Sequence, residues 1–180
     1  LGEPVLDLSG PLTYLQVQTA FDALYPQGQF HYWKALYLDQ LSDAAIELIV
    51  DRYEQRPSLR SVISIRSLTG AVRRVEATAT AFGDRSAQML VSIDATWLDA
   101  QDSEKNIAWV RDFWAALQPY STGRTYFNFP GLLEEGDELV RTTFGANYER
   151  LVALKNQYDP TNLFRLNQNI KPTVRQRHGL

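Results

Sequence analysis

The chain has 180 residues, 44% of them hydrophobic and 22% charged, with a formal net charge of −3. That is the make-up of one soluble globular core: no apolar run nears the roughly 20 residues of a spanning helix, and the mild acidity argues against a nucleic-acid-binding face. With no cysteine and only His31 and His178, disulfides, thiolate nucleophiles and Cys-ligated metals are excluded, and a zinc site or His-based triad is hard to assemble. The compartment stays open, with a soluble cytoplasmic protein slightly favoured, and Leu1 in place of Met is what a fragment or processed subunit shows.

Pro11 to Leu24 carries Tyr14, Val17, Phe21 and Leu24 at helical spacing, and Pro26 and Gly28 close that helix. Phe30 to Leu38 alternates as a strand, with Tyr32, Lys34, Leu36 and Leu38 on one face and His31, Trp33, Ala35 and Tyr37 on the other. Ser42 caps a helix that buries Ala45, Ile46, Ile49 and Tyr53, with Leu41 stapled onto Ile46, and Arg56-Pro57 ends it. Leu59 to Leu68 is the second strand, with Val62, Ser64, Arg66 and Leu68 on one face, and Thr69-Gly70 turns the chain.

Ala77 to Phe82 reads as short and extended, and Gly83-Asp84 as a turn into the strand Ala87 to Trp97. There Gln88, Leu90, Ser92, Asp94 and Thr96 alternate with an apolar set, which predicts one face on a core and one on wetter surroundings. Asp102 or Ser103 caps a helix whose Ile107, Val110, Trp114 and Leu117 fit the 3.6 period, with Pro119 beyond its end. Arg124 to Phe129 is a last strand, with Tyr126 and Asn128 on one side and Thr125, Phe127 and Phe129 on the other. Together these elements predict the α+β class: an antiparallel sheet covered on one face by helices. On pattern alone the polar sheet face is equally ordinary solvated surface.

The most specific stretch comes last. Tyr148, Leu151, Leu154 and Tyr158 form a helical stripe that docks, Asp159-Pro160 stops the helix, and Thr161 caps a turn that buries Leu163 and Phe164. Asn167-Gln168-Asn169-Ile170 then puts three amides in a row. The run from Gly145-x-Asn147-Tyr148-x-Arg150-Leu151 through Lys155, Tyr158-Asp159-Pro160, Asn162 and Phe164 to Ile170 closely resembles the C-terminal signature of berberine-bridge-enzyme-like FAD-linked oxidases. The resemblance extends to Tyr126-x-Asn128, Thr69-Gly70-Ala71-Val72, Ala79-Thr80-Ala81-Phe82 and Tyr32-Trp33-Lys34, and so covers nearly the whole chain.

The resemblance implies a substrate domain, residues 1–130, whose sheet lies over a flavin, and a closing segment, 131–180, whose helices pack on a separate FAD-binding domain. It implies that Tyr126 takes a hydroxyl proton while hydride leaves for the flavin, with Asn128 orienting the tyrosine or bonding the flavin. Lys34 and Arg66 are the cations expected beside that phenol. Lys34, Ser64 and Arg66 are expected in the substrate pocket, with Tyr32 and Trp33 as further lining. Ser64 and Arg66 stand where relatives carry acidic or amide side chains, and Thr69 replaces a family glycine, so a sugar or alkaloid substrate does not transfer. Gln168 and Asn169 suit an isoalloxazine edge, since each amide carries donor and acceptor, and backbone capping would use them equally well.

FAD itself would be held mainly by the portion not in this sequence, because the ten glycines form neither a Gly-x-Gly-x-x-Gly nor a P-loop. The resemblance places the flavin-linking His and Cys in that portion too. The reading is thus part of an FAD-dependent oxidase that acts on an alcohol- or amine-type carbon, forms the roof of the active site, is inactive alone, and has oxygen as the final acceptor. Its partners are the FAD-binding domain or chain, a small-molecule substrate and oxygen, with no nucleic acid and no membrane. The alternatives are a binding or dimerisation module that keeps the fold without flavin, and an oxidase split between two chains.

Overall fold

The computed structural model describes residues 10–82, 84–129, 131, 136–166 and 168–173, so Leu1, Gly83, Asn167 and His178 lie outside the described residues. Strands β1 (Phe30–Leu38), β2 (Val62–Ser67) and β3 (Met89–Trp97) form an antiparallel sheet in the order β1-β3-β2. Around it run helices α1 (Tyr14–Thr19), α2 (Asp43–Glu54), α3 (Ala71–Arg74), α4 (Ser103–Leu117), α5 (Asp137–Phe144) and α6 (Tyr148–Tyr158). The class is α+β, with α4 and α2 on one sheet face.

Register assigns the two faces. Lys34, Ile93 and Ile63 stand in one row and Leu36, Val91 and Ile65 in the next, and this face meets Trp109, Val110, Phe113 and Leu117 of α4 and Ile49 of α2. The alternate rows, among them Trp33-Asp94-Val62, Ala35-Ser92-Ser64 and Tyr37-Leu90-Arg66, face the opposite way. The helix layer is pinned by two indoles: Trp109 Nε1 donates to Arg52 O (2.9 Å) and Trp114 Nε1 to Ala35 O (3.1 Å). Buried Trp109 and half-buried Trp114 thereby keep their polar edges paired. Ser42 caps α2 through Ala45 N (3.3 Å), as its position before the apolar period predicts, although Ile46 is exposed and Leu41 packs on the core instead. β3 is buried along both faces, polar residues included, where its alternation predicts one wetter face: α4 and α2 cover one face, and Phe82, Tyr126 and Phe129 pack around Leu90 on the other.

Four local expectations change. The N-terminal helix is six residues long, opened by a Thr13–Gln16 capping box and followed by a 3-10 turn at Asp22–Leu24. Its Tyr14, Val17 and Phe21 are exposed, and without a buried face so short a helix cannot extend far. Residues 77–82 form turns rather than an extended stretch, with Ala79 N bonded to Glu76 O (3.0 Å). Residues 121–129 run beside β1 without forming a strand: Thr122 N bonds Tyr37 O (2.9 Å), Thr125 Oγ1 bonds Ala35 O (2.6 Å) and Ala35 N bonds Phe129 O (3.0 Å). A turn at Tyr126–Phe129, closed by Phe129 N to Tyr126 O (2.9 Å), then breaks the two-residue period. Tyr126 and Phe129 therefore share a side, their rings 5.3 Å apart, where strict alternation separates them.

The fourth change is at the C-terminal end. α6 docks through Tyr148 and Val152, packed with Val140 of α5 and with Phe127, Phe144 and Ile170. Asn147 Nδ2 donates to Ala77 O (2.8 Å) and Arg150 to Thr78 O (3.2 Å), which fix α6 to the 77–80 turns. Leu154 and Tyr158, read as part of the docking stripe, are exposed. Leu163, Phe164 and Leu166 are exposed as well, by 71%, 78% and 93%. Asp159, not Thr161, organises this turn: its carboxylate accepts from Leu163 N (2.7 Å) and Phe164 N (3.1 Å) and pairs with Lys155, which holds it below the usual carboxylate range.

Candidate active site

On the sheet face away from α4 lies a hollow of about 570 Å³. Its floor is the row Tyr37-Leu90-Arg66. Leu68 continues β2 into the wall, bonded through its N–H to Gln88 O (2.8 Å), and Gly70, at φ +67°, reverses the chain so that Val72 of α3 joins it. That φ suits glycine because it carries no Cβ. Phe82 and Arg85 form another side, and Tyr126 and Phe129 of the 126–129 turn close the last. The volume suits a small organic ligand, and the lining is mostly apolar with few polar groups, the usual make-up of such sites.

Tyr126 is held by rings on two sides, Phe129 at 5.3 Å and Phe82 at 6.4 Å between centroids. Asn128 Nδ2 donates to its phenol oxygen at 2.9 Å. Arg66 leans over the Phe129 ring (5.9 Å) and donates to Ser64 Oγ (3.4 Å). Arg85 is more firmly fixed, donating to Val72 O (2.9 Å) and Thr80 Oγ1 (2.7 Å) while lying over Phe82 at 4.8 Å.

Three acidic groups around the hollow carry shifts or bonds that set its field. Tyr37 is buried, and burial first, then the Asp84 carboxylate and Tyr126, push its phenol well above the ordinary range, so it stays a hydroxyl donor. Asp94 is 6% exposed; burial raises its carboxyl, against the opposing hydrogen bond from Ser92 Oγ and the charge of Arg66. Asp84 accepts from Ser86 N (2.9 Å), Ser86 Oγ (2.8 Å) and Ala87 N (3.1 Å) and lies 3.6 Å from Arg124.

Of the residues proposed from sequence, the structure brings together Tyr126, Asn128, Arg66 and Ser64. It does not bring Lys34 to them. Lys34 is 4% exposed on the opposite sheet face, its ammonium 4.0 Å from the centre of the Trp114 ring, and Tyr32 shares that face beside Arg111. The alternation that aligns Lys34 with Leu36 and Leu38 carries it into the helix layer. Trp33 is on the hollow's face, 5.5 Å from Phe129 between ring centroids, without lining the hollow. Gln168 and Asn169 line a second hollow of about 370 Å³ with Lys155, Leu163, Phe164 and Ile170, where the Asn169 side-chain oxygen is buried without a donor among the described residues. His31 bonds Thr96 Oγ1 (3.0 Å). Sequence reasoning missed Tyr37, Arg85 and Asp94. Asp94 was visible as a carboxylate in the polar alternation of a central strand, whereas Arg85 reaches the hollow only through loop geometry.

Residues 125–171, which include the 126–129 turn and helices α5 and α6, match the family model described as berberine and berberine-like. An FAD-linked oxidoreductase of Dictyostelium discoideum is 30% identical over 173 residues, covering 95% of this chain and 37% of that protein. The chain belongs to the berberine-bridge-enzyme-like family. An uncharacterized FAD-linked oxidoreductase of Bacillus subtilis is 33% identical over 135 residues, 75% of this chain and 29% of that protein. The berberine bridge enzyme of Eschscholzia californica superposes with a TM-score of 0.73 at 20% identity, covering 82% of this chain and 34% of that one, and so shares the fold. This berberine-bridge-like chain thus spans roughly a third of the length of the proteins it matches. Among the described residues no helix is long and apolar enough to cross a membrane, and no group of three or more His, Asp or Glu side chains is placed to hold a metal.

Proposed function

We propose that this chain is the substrate-side portion of an FAD-dependent oxidoreductase that oxidises an alcohol- or amine-type carbon, and that the 570 Å³ hollow is its substrate site. The observation that carries the reading is the Tyr126–Asn128 pair: a phenol at the edge of an apolar hollow, its oxygen met by an amide N–H at 2.9 Å. That contact fixes where the phenol oxygen stands at the rim, within reach of a hydroxyl or amine on a ligand in the hollow, as a group that exchanges a proton with it must be. Tyr126 takes the substrate's hydroxyl or amine proton, Phe82 and Phe129 fix the ring, and Leu68, Val72 and Leu90 exclude water from the substrate's apolar body. FAD, when bound, supplies the acceptor for the hydride that leaves the same carbon, and molecular oxygen is the proposed final oxidant.

The residues present fit one side of a flavin. Gln168 and Asn169 offer amides in a hollow beside exposed Leu163, Phe164 and Leu166, and one amide oxygen there has no donor among the described residues. No glycine-rich loop for a pyrophosphate exists in the sequence, so residues 1–130 are proposed as the substrate domain and 131–180 as the segment that docks on an FAD-binding domain or chain.

The test is a visible spectrum of the complete protein as purified, followed by anaerobic addition of primary alcohols and amines. A flavin spectrum that bleaches with one of them supports the reading. A colourless protein would overturn it and favour the flavin-free binding module.

A further inference from the structure

The polar content of the hollow is unbalanced. Arg66 and Arg85 both line it, and among the described residues no carboxylate lines it and neither guanidinium lies within ion-pair distance of an acid. Two acids lie near without lining it: Asp84 bonds two backbone amides, a serine hydroxyl and Arg124, and Asp94 bonds Ser92 Oγ within the sheet and feels the Arg66 charge through space without forming an ion pair, burial favouring its neutral form. Arg85 cannot turn away, because two hydrogen bonds and the Phe82 ring hold it. Arg66 is exposed at the mouth, with Ser64 Oγ supporting one nitrogen and no other hydrogen-bond partner among the described residues. Two cations against walls of Leu68, Val72, Leu90 and Phe129 are costly once a cover excludes water, unless the occupant brings the opposite charge.

We propose that the hollow selects substrates with an apolar body and a carboxylate, the carboxylate bound by Arg66 and the fixed positive field of Arg85, and the oxidised carbon placed toward Tyr126. This rests on the reading of the hollow as a substrate site. A planar guanidinium fork matches a carboxylate, so the preference depends on Arg66 as arginine and not only on its charge. The pairing also excludes neutral sugars as the preferred class.

The experiment uses the complete flavoprotein and a matched pair of probes, 4-(hydroxymethyl)benzoate and its methyl ester. Binding is measured by calorimetry and turnover by anaerobic bleaching of the flavin. The acid should bind about tenfold or more tightly than the ester, as expected of a charge-assisted contact, and the gap should narrow with added salt. Arg66→Gln should collapse the acid-to-ester ratio toward one, and Arg66→Lys should restore part of it. Equal binding of the two probes by the wild type, binding of neither, or an equal loss of both in Arg66→Gln would each overturn the proposal. Acid-selective binding without bleaching would uphold the anion site and sink the oxidation reading instead.

Discussion

Replacing Tyr126 by Phe separates the chemical role of this residue from its packing role. The ring stays between Phe82 and Phe129, so the apolar contacts are kept, and the hydrogen bond from Asn128 is the one described contact of the phenol oxygen that disappears. Asn128 is exposed, so its freed N–H turns to water, and the net cost is that of one solvent-exchangeable hydrogen bond, about 1 kcal/mol or less. A group that moves the reacting proton contributes far more, roughly 10²- to 10⁴-fold in rate, or about 3–5 kcal/mol of barrier. The assay is stopped-flow bleaching of the bound flavin under anaerobic conditions, with thermal unfolding recorded on the same sample. Flavin content and melting should stay near wild type while bleaching slows by at least about 100-fold. Bleaching within about threefold of wild type, in a folded and flavin-loaded variant, would refute the assignment of Tyr126 as the proton acceptor.

Lys34→Met should lower resistance to urea by about 0.5–2 kcal/mol, the range of a cation over an indole, and leave flavin bleaching unchanged; a bleaching defect at full stability would return Lys34 to the site. Asp94 has its carboxyl raised by burial, so what it adds to stability is fully present below the ordinary carboxylate range and is lost as pH rises through its folded value. Asp94→Asn should therefore melt higher than wild type at pH 7, with the gap closing in acid, and a lower melting point at pH 7 would contradict this. Asp159 is the opposite case: its lowered carboxyl stabilises the closing turn above the ordinary range and stops doing so as pH falls through its depressed folded value. Asp159→Ala should speed hydrogen exchange at the Leu163 and Phe164 amides at neutral pH, and unchanged protection there would show that another group holds the turn.

What could be read from the sequence follows from which periods survive folding. β1 runs from Phe30 to Leu38 as its alternation predicts, and Ser42 caps α2, because each signal is local and matches the tertiary context. The same alternation put Ser64 and Arg66 on one face of β2 and Lys34 beside Leu36 and Leu38 in β1. Which face α4 covers is a tertiary fact, and the two leucines beside Lys34 were the clue to it. The 126–129 turn was beyond reach, since Tyr-Phe-Asn-Phe alternates perfectly as a strand and only the i to i+3 bond across it reveals a turn. Arg85 was missed for a related reason: turns at 77–82, with Arg85 bonded back to Thr80 and Val72, bring it to the hollow, and no period marks them.

The 126–129 turn also joins the two parts of the chain. Tyr126 and Phe129 face the sheet, whereas Phe127 points the other way, 4.5 Å from the Phe144 ring between centroids and in the cluster that contains Val152 and Ile170. Four residues therefore connect the hollow to the closing segment, and the backbone bond from Ala35 N to Phe129 O anchors them to β1. A rigid connection of this kind transmits position: a shift of α6 that carries Phe127 with it must move Tyr126 or break the Ala35 bond, since packed side chains do not deform continuously. The exposed Leu163, Phe164 and Leu166 lie on that same closing segment.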